Sequence, residues 1–342
     1  MRTTAMASIA PLKQALSRSA GATSRKGFAT TTRLDASYGF IGLGQMGYPM
    51  ASNLRSKISS SDKLYIHDVN PAVTEQFAKE IGNVEIAQSV RDVAEKSETI
   101  LTVLPEPHHV QNVFQQMLRP DATLAEAPNN HERLFIDCST IDPKSSAGVA
   151  NAVHSSGQGR FVDAPMSGGV VGARAGTLTF MLGASEELVE RTTEVLKMMG
   201  KRTIHLGPQT SGLKGKLANN YLLALNNIAT AEAMNMGVKW GLDPKTLADM
   251  INTATGKCWP SEINNPVPGV SENAPAGRDY KGGFGTRLML KDLKLALQAG
   301  AESNIVPHLG AHAQDIYSAV VADPACKDRD FSVVYRYIGG KE

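Results

Sequence analysis

Gly42-Leu43-Gly44-Gln45-Met46-Gly47 decides how this chain folds. It is entered from Tyr38-Gly39-Phe40-Ile41, which reads as a short buried strand, and it opens a helix that runs to about Leu54. In that setting each glycine has its own duty. The first makes a tight turn, the second lets backbone approach a pyrophosphate, and the third lets the helix pack closely on the strand. Amides at the helix start then face the phosphate charge. Gly42, Leu43, Gly44, Gln45, Met46 and Gly47 are therefore candidate cofactor contacts. Asp68 stands 21 residues after Gly47, at the end of the strand-like run Leu64-Tyr65-Ile66-His67. A carboxylate there accepts hydrogen bonds from an adenosine ribose and repels a 2′-phosphate, which favours NAD over NADP. The plain alternative is a turn-forming glycine cluster with a surface aspartate, and a methyltransferase can use a similar loop.

Working outward, strand and helix signals alternate. Asn70-Pro71 and Asp142-Pro143 are helix starts, with the polar residue as cap and proline at the first helical position. Thr99 to Leu104 and Leu134 to Asp137 read as further strands, followed by Phe161-Val162-Asp163 and Thr177 to Leu182. Strands alternating with helices imply a parallel sheet with crossovers. After about Ile204 the pattern changes: Leu213, Leu217, Tyr221, Leu225, Ile228 and Met236 recur at helical spacing. Gly241 is placed to stop that helix, Asp243-Pro244 starts another, and Asn264 to Arg278 reads as a long loop. The expected architecture is an α/β Rossmann-type N-terminal domain over 37–203. An all-α C-terminal domain follows over 204–342, joined to it by a long interdomain helix.

Two further stretches carry candidate chemistry. In Asp163-Ala164-Pro165-Met166-Ser167-Gly168-Gly169, the Ser-Gly-Gly unit can turn a hydroxyl and successive amides toward one point, as an anion nest does. A tight strand-to-helix turn accounts for it equally well. In Gly212-Leu213-Lys214-Gly215-Lys216-Leu217-Ala218-Asn219-Asn220, Lys216 and Asn220 are spaced i, i+4 and share a helix face. By spacing alone, the ordinary reading of Lys216 is a solvated surface lysine.

Composition bounds the rest. The chain has 342 residues, enough for two ordinary domains. Its 42% hydrophobic content, 20% charged content and net charge of +2 are those of a globular protein, giving no reason to expect nucleic acid or a membrane surface as partner. Cys138, Cys258 and Cys326 form no C-x-x-C pair, so neither a disulfide framework nor a structural zinc site is expected. The first 34 residues carry Arg2, Lys13, Arg18, Arg25, Lys26 and Arg33, no acid before Asp35, and much Ala, Ser and Thr. That is the composition of a mitochondrial transit peptide, here taken as residues 1–36, and it implies the matrix as destination. A disordered basic tail is the alternative.

The three motifs, in this order, resemble the β-hydroxyacid dehydrogenase family over about residues 38–338. Cys258-Trp259-Pro260-Ser261 through Asn265-Pro266-Val267-Pro268-Gly269-Val270, and Gly282-Gly283-Phe284-Gly285-Thr286 with Lys291-Asp292 following, point to a member acting on a small 3-hydroxy acid. The resemblance overturns the ordinary reading of Lys216, because such enzymes use a lysine at this position for acid–base catalysis. It implies that Asn220 orients substrate and that Ser167, Gly168 and Gly169 hold a carboxylate. Leu104, Pro105 and Thr140 would line the nicotinamide half of the NAD site, with Lys291 near cofactor and substrate. No metal is implied, and a homodimer or homotetramer is expected. His109 departs from the family's asparagine, Met166 replaces a smaller residue, and Arg119 to Glu132 is longer than usual. A related reductase of tartronate or succinic semialdehyde would carry the same motifs, and a non-catalytic dinucleotide-binding scaffold is the rival from a different class.

Overall fold

The computed structural model describes residues 35–119, 122–128 and 132–342. The expected leader therefore lies outside the described residues, except for Asp35 and Ala36, and the 119–132 segment is described only in part. β1 (Ser37–Ile41), α1 (Gly47–Lys57), β2 (Lys63–His67), α2 (Pro71–Ile81), β3 (Glu85–Ile86), α3 (Val90–Lys96), β4 (Thr99–Thr102), α4 (Pro107–Leu118), β5 (Leu134–Asp137), α5 (Pro143–Ser155) and β6 (Arg160–Asp163) alternate along the first half. All five residues of β1 are buried, as befits a central strand covered on both faces. Asn70 caps α2 by accepting from Ala72 N at 3.2 Å, and Asp142 caps α5 by accepting from Ser145 N at 2.7 Å; both helices then begin with the expected proline.

The six strands pair in parallel in the order β3-β2-β1-β4-β5-β6. The direction of winding reverses between β1 and β4, and the crevice outside the carboxyl ends of the strands at such a point is where α/β sheets bind ligands. Beyond β6 the sheet departs from the expected all-parallel pattern. β7 (Met166–Ser167), α6 (Gly169–Ala175), β8 (Leu178–Gly183), α7 (Glu186–Leu196) and β9 (Gly200–Gly207) follow. β8 runs antiparallel to β6 and β7, and β9 lies parallel to β8. The physical reason is the short connection from β7 to β8, which holds only Gly168, α6 and two further residues, fewer than a parallel crossover needs.

From Ser211 onward the described chain is helical: α8 (Ser211–Lys239), α9 (Pro244–Thr253), α10 (Trp259–Glu262), α11 (Thr286–Glu302), α12 (Gly310–Ala322) and α13 (Val334–Tyr337), with short 3-10 turns between. α8 has 29 residues, so it is about 44 Å long at 1.5 Å per residue. Its first turns lie against β8 and β9, where Leu213 joins the core under the sheet. Its later turns place Ala224, Ile228, Ala231 and Met234 in the core shared with α11 and α12. One helix thus belongs to both halves. Met236, which shares the helical spacing of the apolar series, lies on the exposed side, where Met234 and Asn235 take the inward positions. α8 ends as expected at Gly241, which adopts φ +90°.

Candidate active site

The glycine loop has the geometry its sequence implies. Gly42 adopts φ +95°, and a Cβ there would stand 2.3 Å from Val103 O. A Cβ on Gly47 would stand 1.9 Å from Gly42 O, so only glycine lets α1 start this close to β1. Gly44 is different. It is exposed, and a Cβ would meet nothing within 4 Å. It borders open space that a side chain would fill, beside a helix start whose first amides lack intrahelical acceptors. Asp68 closes the cradle: Oδ2 accepts from Leu43 N at 2.7 Å and Oδ1 from Asn70 N at 2.9 Å. The carboxylate is thereby held against the loop, half-buried at the end of β2. These residues fit a dinucleotide: an open backbone saddle for the pyrophosphate and a fixed acceptor for a ribose.

The ends of β4 and β5 form the next wall. Asp137 is fully buried, and its Oδ1 accepts from Thr102 Oγ1 at 2.7 Å, Ser139 Oγ at 2.6 Å and Ser139 N at 3.1 Å. Burial pushes this carboxyl up to about 6 against the pull of those bonds. Ser139 Oγ in turn accepts from Leu104 N at 2.9 Å. Lys291 reaches across from α11 and donates to Thr140 O at 2.7 Å and Pro105 O at 3.3 Å. Four of the residues singled out in sequence, Leu104, Pro105, Thr140 and Lys291, are thus brought into one place, and the lysine clasps the helical half to the strand ends.

Lys216 lies on the third wall, in α8. It is buried, with 7% of its surface exposed, whereas Lys214 is exposed. The ordinary surface reading therefore fails on burial. Burial pushes the Lys216 ammonium below the usual lysine value, the Asp292 carboxylate pulls it back up, and the Lys291 charge adds to the lowering. Asp292 directly follows Lys291 in sequence, and its part in the site shows only in the fold. It is buried, and its Oδ2 accepts from Asn220 Nδ2 at 2.6 Å. Its Oδ1 faces the Lys291 ammonium at 3.2 Å as an ion pair without hydrogen-bond alignment. Asn220 Oδ1 accepts from Asn219 Nδ2 at 3.0 Å. Lys216, Asn220 and Asp292, all buried, and the half-buried Lys291 form one cluster at the meeting of α8 and α11.

Ser167 ends β7 and pairs with Thr179, two residues along β8 from Met181, whose carbonyl lies against Gly212 in the first turn of α8. Gly168 adopts φ +133° with its α-carbon closed in by Leu178, while Gly169 adopts φ +59° and is open. The turn reading accounts for these angles; Ser167 and Gly169 are half-buried and Gly168 is exposed. α6 packs on α1, with Asn53 Nδ2 donating to Ala173 O at 2.8 Å. Among the described residues no group of three His, Cys, Asp or Glu side chains could hold a metal ion, and no helix is long and apolar enough to cross a membrane.

Residues 37–207 match the family model for the NAD binding domain of 6-phosphogluconate dehydrogenase. Residues 210–338 match that for NAD-binding of NADP-dependent 3-hydroxyisobutyrate dehydrogenase. The mitochondrial 3-hydroxyisobutyrate dehydrogenase of Rattus norvegicus is 43% identical over 304 residues, covering 89% of this chain and 87% of that one. The Homo sapiens protein of the same name is 41% identical with the same coverage. Among solved structures, Mycobacterium tuberculosis 3-hydroxyisobutyrate dehydrogenase with L-serine has a TM-score of 0.80 at 36% identity, over 90% of this chain and 100% of that one.

Proposed function

The chain belongs to the β-hydroxyacid dehydrogenase family and is an NAD-binding oxidoreductase, and on that premise we propose that it oxidises 3-hydroxyisobutyrate to methylmalonate semialdehyde in valine breakdown. The observation that carries the reading is the buried Lys216, lowered below the usual lysine value and set beside Asn220 and Asp292. The names of the relatives at about 40% identity support the substrate.

Gly42 to Gly47 and Asp68 would hold the adenosine and pyrophosphate half of NAD, and Leu104, Pro105, Thr140 and Lys291 the nicotinamide half. When bound, NAD+ supplies the hydride acceptor. The rest is the work of this chain's side chains. Ser167, Gly168 and Gly169 hold the substrate carboxylate, and Asn220 orients the alcohol through its remaining amide hydrogen. Lys216, in its neutral form, accepts the hydroxyl proton at Nζ. In the opposite direction the ammonium returns that proton to the aldehyde oxygen.

Residues 1–36 act as a mitochondrial presequence with a matrix destination, a reading supported by their basic, acid-free composition up to Leu34 and by the relatives' mitochondrial names. The helical half supplies substrate contacts and the contact between copies in a dimer or tetramer. Leu222, Met236, Trp240, Leu242 and Met250 are exposed on α8, α9 and the turn between them, which leaves apolar side chains available to such a contact.

The test is NAD+ reduction by the purified chain with (S)-3-hydroxyisobutyrate, 3-hydroxypropionate, L-serine and 4-hydroxybutyrate, and NADH oxidation with tartronate and succinic semialdehydes. The highest kcat/KM is expected for (S)-3-hydroxyisobutyrate. A semialdehyde reductase would show its preference in the second set, and turnover of none would leave a scaffold.

A further inference from the structure

We propose that Asp163 is a positioning residue for this reaction, whose carboxylate seats the first turn of α8, and with it Lys216 and Asn220, on the end of β6. The inference rests on Lys216 being the acid–base group. Asp163 is completely buried, and its two oxygens divide their work: Oδ1 accepts from Thr210 N at 2.6 Å and Oδ2 from Leu213 N at 2.8 Å. Thr210 is the residue before α8 and has no side-chain cap of its own, so the sheet supplies the cap from outside. Leu213 precedes Lys216 by three residues and Asn220 by seven, which places all three on one face of the helix.

The junction has no slack. A Cβ on Gly183 would stand 2.4 Å from Asp163 Oδ1, and a Cβ on Gly212 would stand 2.9 Å from Oδ2 and 2.2 Å from Met181 O. Three residues distant in sequence thus leave one position for the carboxylate and one for the helix start. Burial pushes the Asp163 carboxyl up to about 7, with the Asp137 charge adding to the rise, so the site keeps an expensive group for the two amides it receives. Asp137 is the register partner of Asp163 on β5. It holds Ser139 and, through it, Leu104, the wall expected to meet the nicotinamide. Two adjacent residues at the strand ends therefore set the spacing between that wall and the helix bearing Lys216.

Asp163→Asn tests this. An asparagine retains one acceptor but turns N–H toward N–H at the other amide, so one of the two bonds is lost. The variant should bind NADH with unchanged Kd by fluorescence titration, since the glycine loop lies elsewhere. Its kcat with 3-hydroxyisobutyrate should fall about 10- to 100-fold, with a smaller change in KM. The solvent deuterium isotope effect on kcat should rise, because proton transfer to a displaced Lys216 becomes limiting. Gly212→Ala is the second variant, should the first not fold. It keeps the carboxylate, shifts the same junction, and replaces glycine by a better helix former, and the same signature is expected. A folded variant with kcat within about twofold of the parent and an unchanged isotope effect overturns the inference. So does a parallel loss of NADH affinity and kcat with no isotope change, which would mark a purely structural role. Failure of the underlying reading shows separately, as turnover that survives Lys216→Ala.

Discussion

Asn220 Nδ2 donates to Asp292 Oδ2 across 2.6 Å, a buried bond between residues 72 positions apart that ties α8 to α11 one turn beyond Lys216. Its consequence is electrostatic. One carboxylate serves an amide and two ammonium groups, so the cluster carries a net positive charge while Lys216 is protonated and none once it is neutral. In the proposed reaction the first state would draw a substrate carboxylate, and the second is the one an alcohol about to lose a proton would need. Asn220 has already spent one N–H on Asp292, which leaves one for a substrate oxygen.

Lys216→Ala should lower kcat by at least about 10²-fold, the lower end of general acid–base contributions. NADH binding should persist, because Gly44 and Asp68 lie on the other side of the crevice. Lys216→Arg should not restore turnover, since guanidinium stays protonated and cannot accept the alcohol proton. Lys214→Ala is the control: the residue is exposed and about 200° around the helix from Lys216. Steady-state kinetics on the three variants check the point, and near-normal turnover by folded Lys216→Ala would remove the lysine from the mechanism.

The parts of this site legible in sequence are those set by local chemistry. The glycine spacing, the aspartate after β2 and the Asx-Pro helix starts each follow from a few adjacent residues, and each takes its expected form. What could not be read was long-range. Leu213 and Leu217 flank Lys216 in sequence, but they do not by themselves fix its burial, to which α11 contributes by arriving beside α8. Asp292 looks like any helical acid until Asn220 and Lys291 are seen to share it. The Asp163 junction needs Gly183 and Gly212, 20 and 49 residues away, before its purpose appears. The antiparallel sense of β8 is hidden for a related reason: its length and apolar character are those of a strand in either direction, and only the short connection through α6 fixes the sense.

The rate of alcohol oxidation should rise with pH as Lys216 loses its proton, with the midpoint below the ordinary lysine value because burial disfavours the ammonium. Two neighbours should move that limb in opposite directions. The Asp292 charge favours the ammonium, so Asp292→Asn should shift the limb to lower pH. The Lys291 charge disfavours it, so Lys291→Gln should shift the limb to higher pH. Asn and Gln keep much of the original shape, which confines the main change to charge. Profiles of kcat against pH for the three proteins decide it. Shifts of the same sign, or none, would mean that Asp292 and Lys291 do not set the protonation of Lys216.

Asp68→Asn should reduce kcat/KM for NAD+ about 10- to 100-fold, the range for losing hydrogen bonds to a charged acceptor. The activity with NADP+ should fall far less or rise, because the charge that repels a 2′-phosphate is gone. Part of the loss will come through the loop, since Asp68 also accepts from Leu43 N and Asn70 N. The ratio of the two cofactors separates these effects: a loosened loop weakens both, and only the missing charge changes the ratio. An unchanged ratio would show that Asp68 does not read the ribose.

Gly44 and Gly47 offer the cleanest separation of folding from binding, because their surroundings differ as their two places in the glycine motif imply. A methyl on Gly44 meets no protein atom within 4 Å, so Gly44→Ala should fold with stability within about 0.5 kcal/mol of the parent. That methyl fills the space through which backbone approaches the pyrophosphate, and the Kd for NADH should rise at least about tenfold, some 1.4 kcal/mol. A methyl on Gly47 stands 1.9 Å from Gly42 O, which no side-chain rotation can relieve. Gly47→Ala should therefore cost about 1–3 kcal/mol of stability, as overpacking does, before cofactor is considered. Thermal unfolding and NADH titration of both variants read the two effects independently. Wild-type NADH affinity in Gly44→Ala would move the pyrophosphate off the glycine loop, whatever the fold.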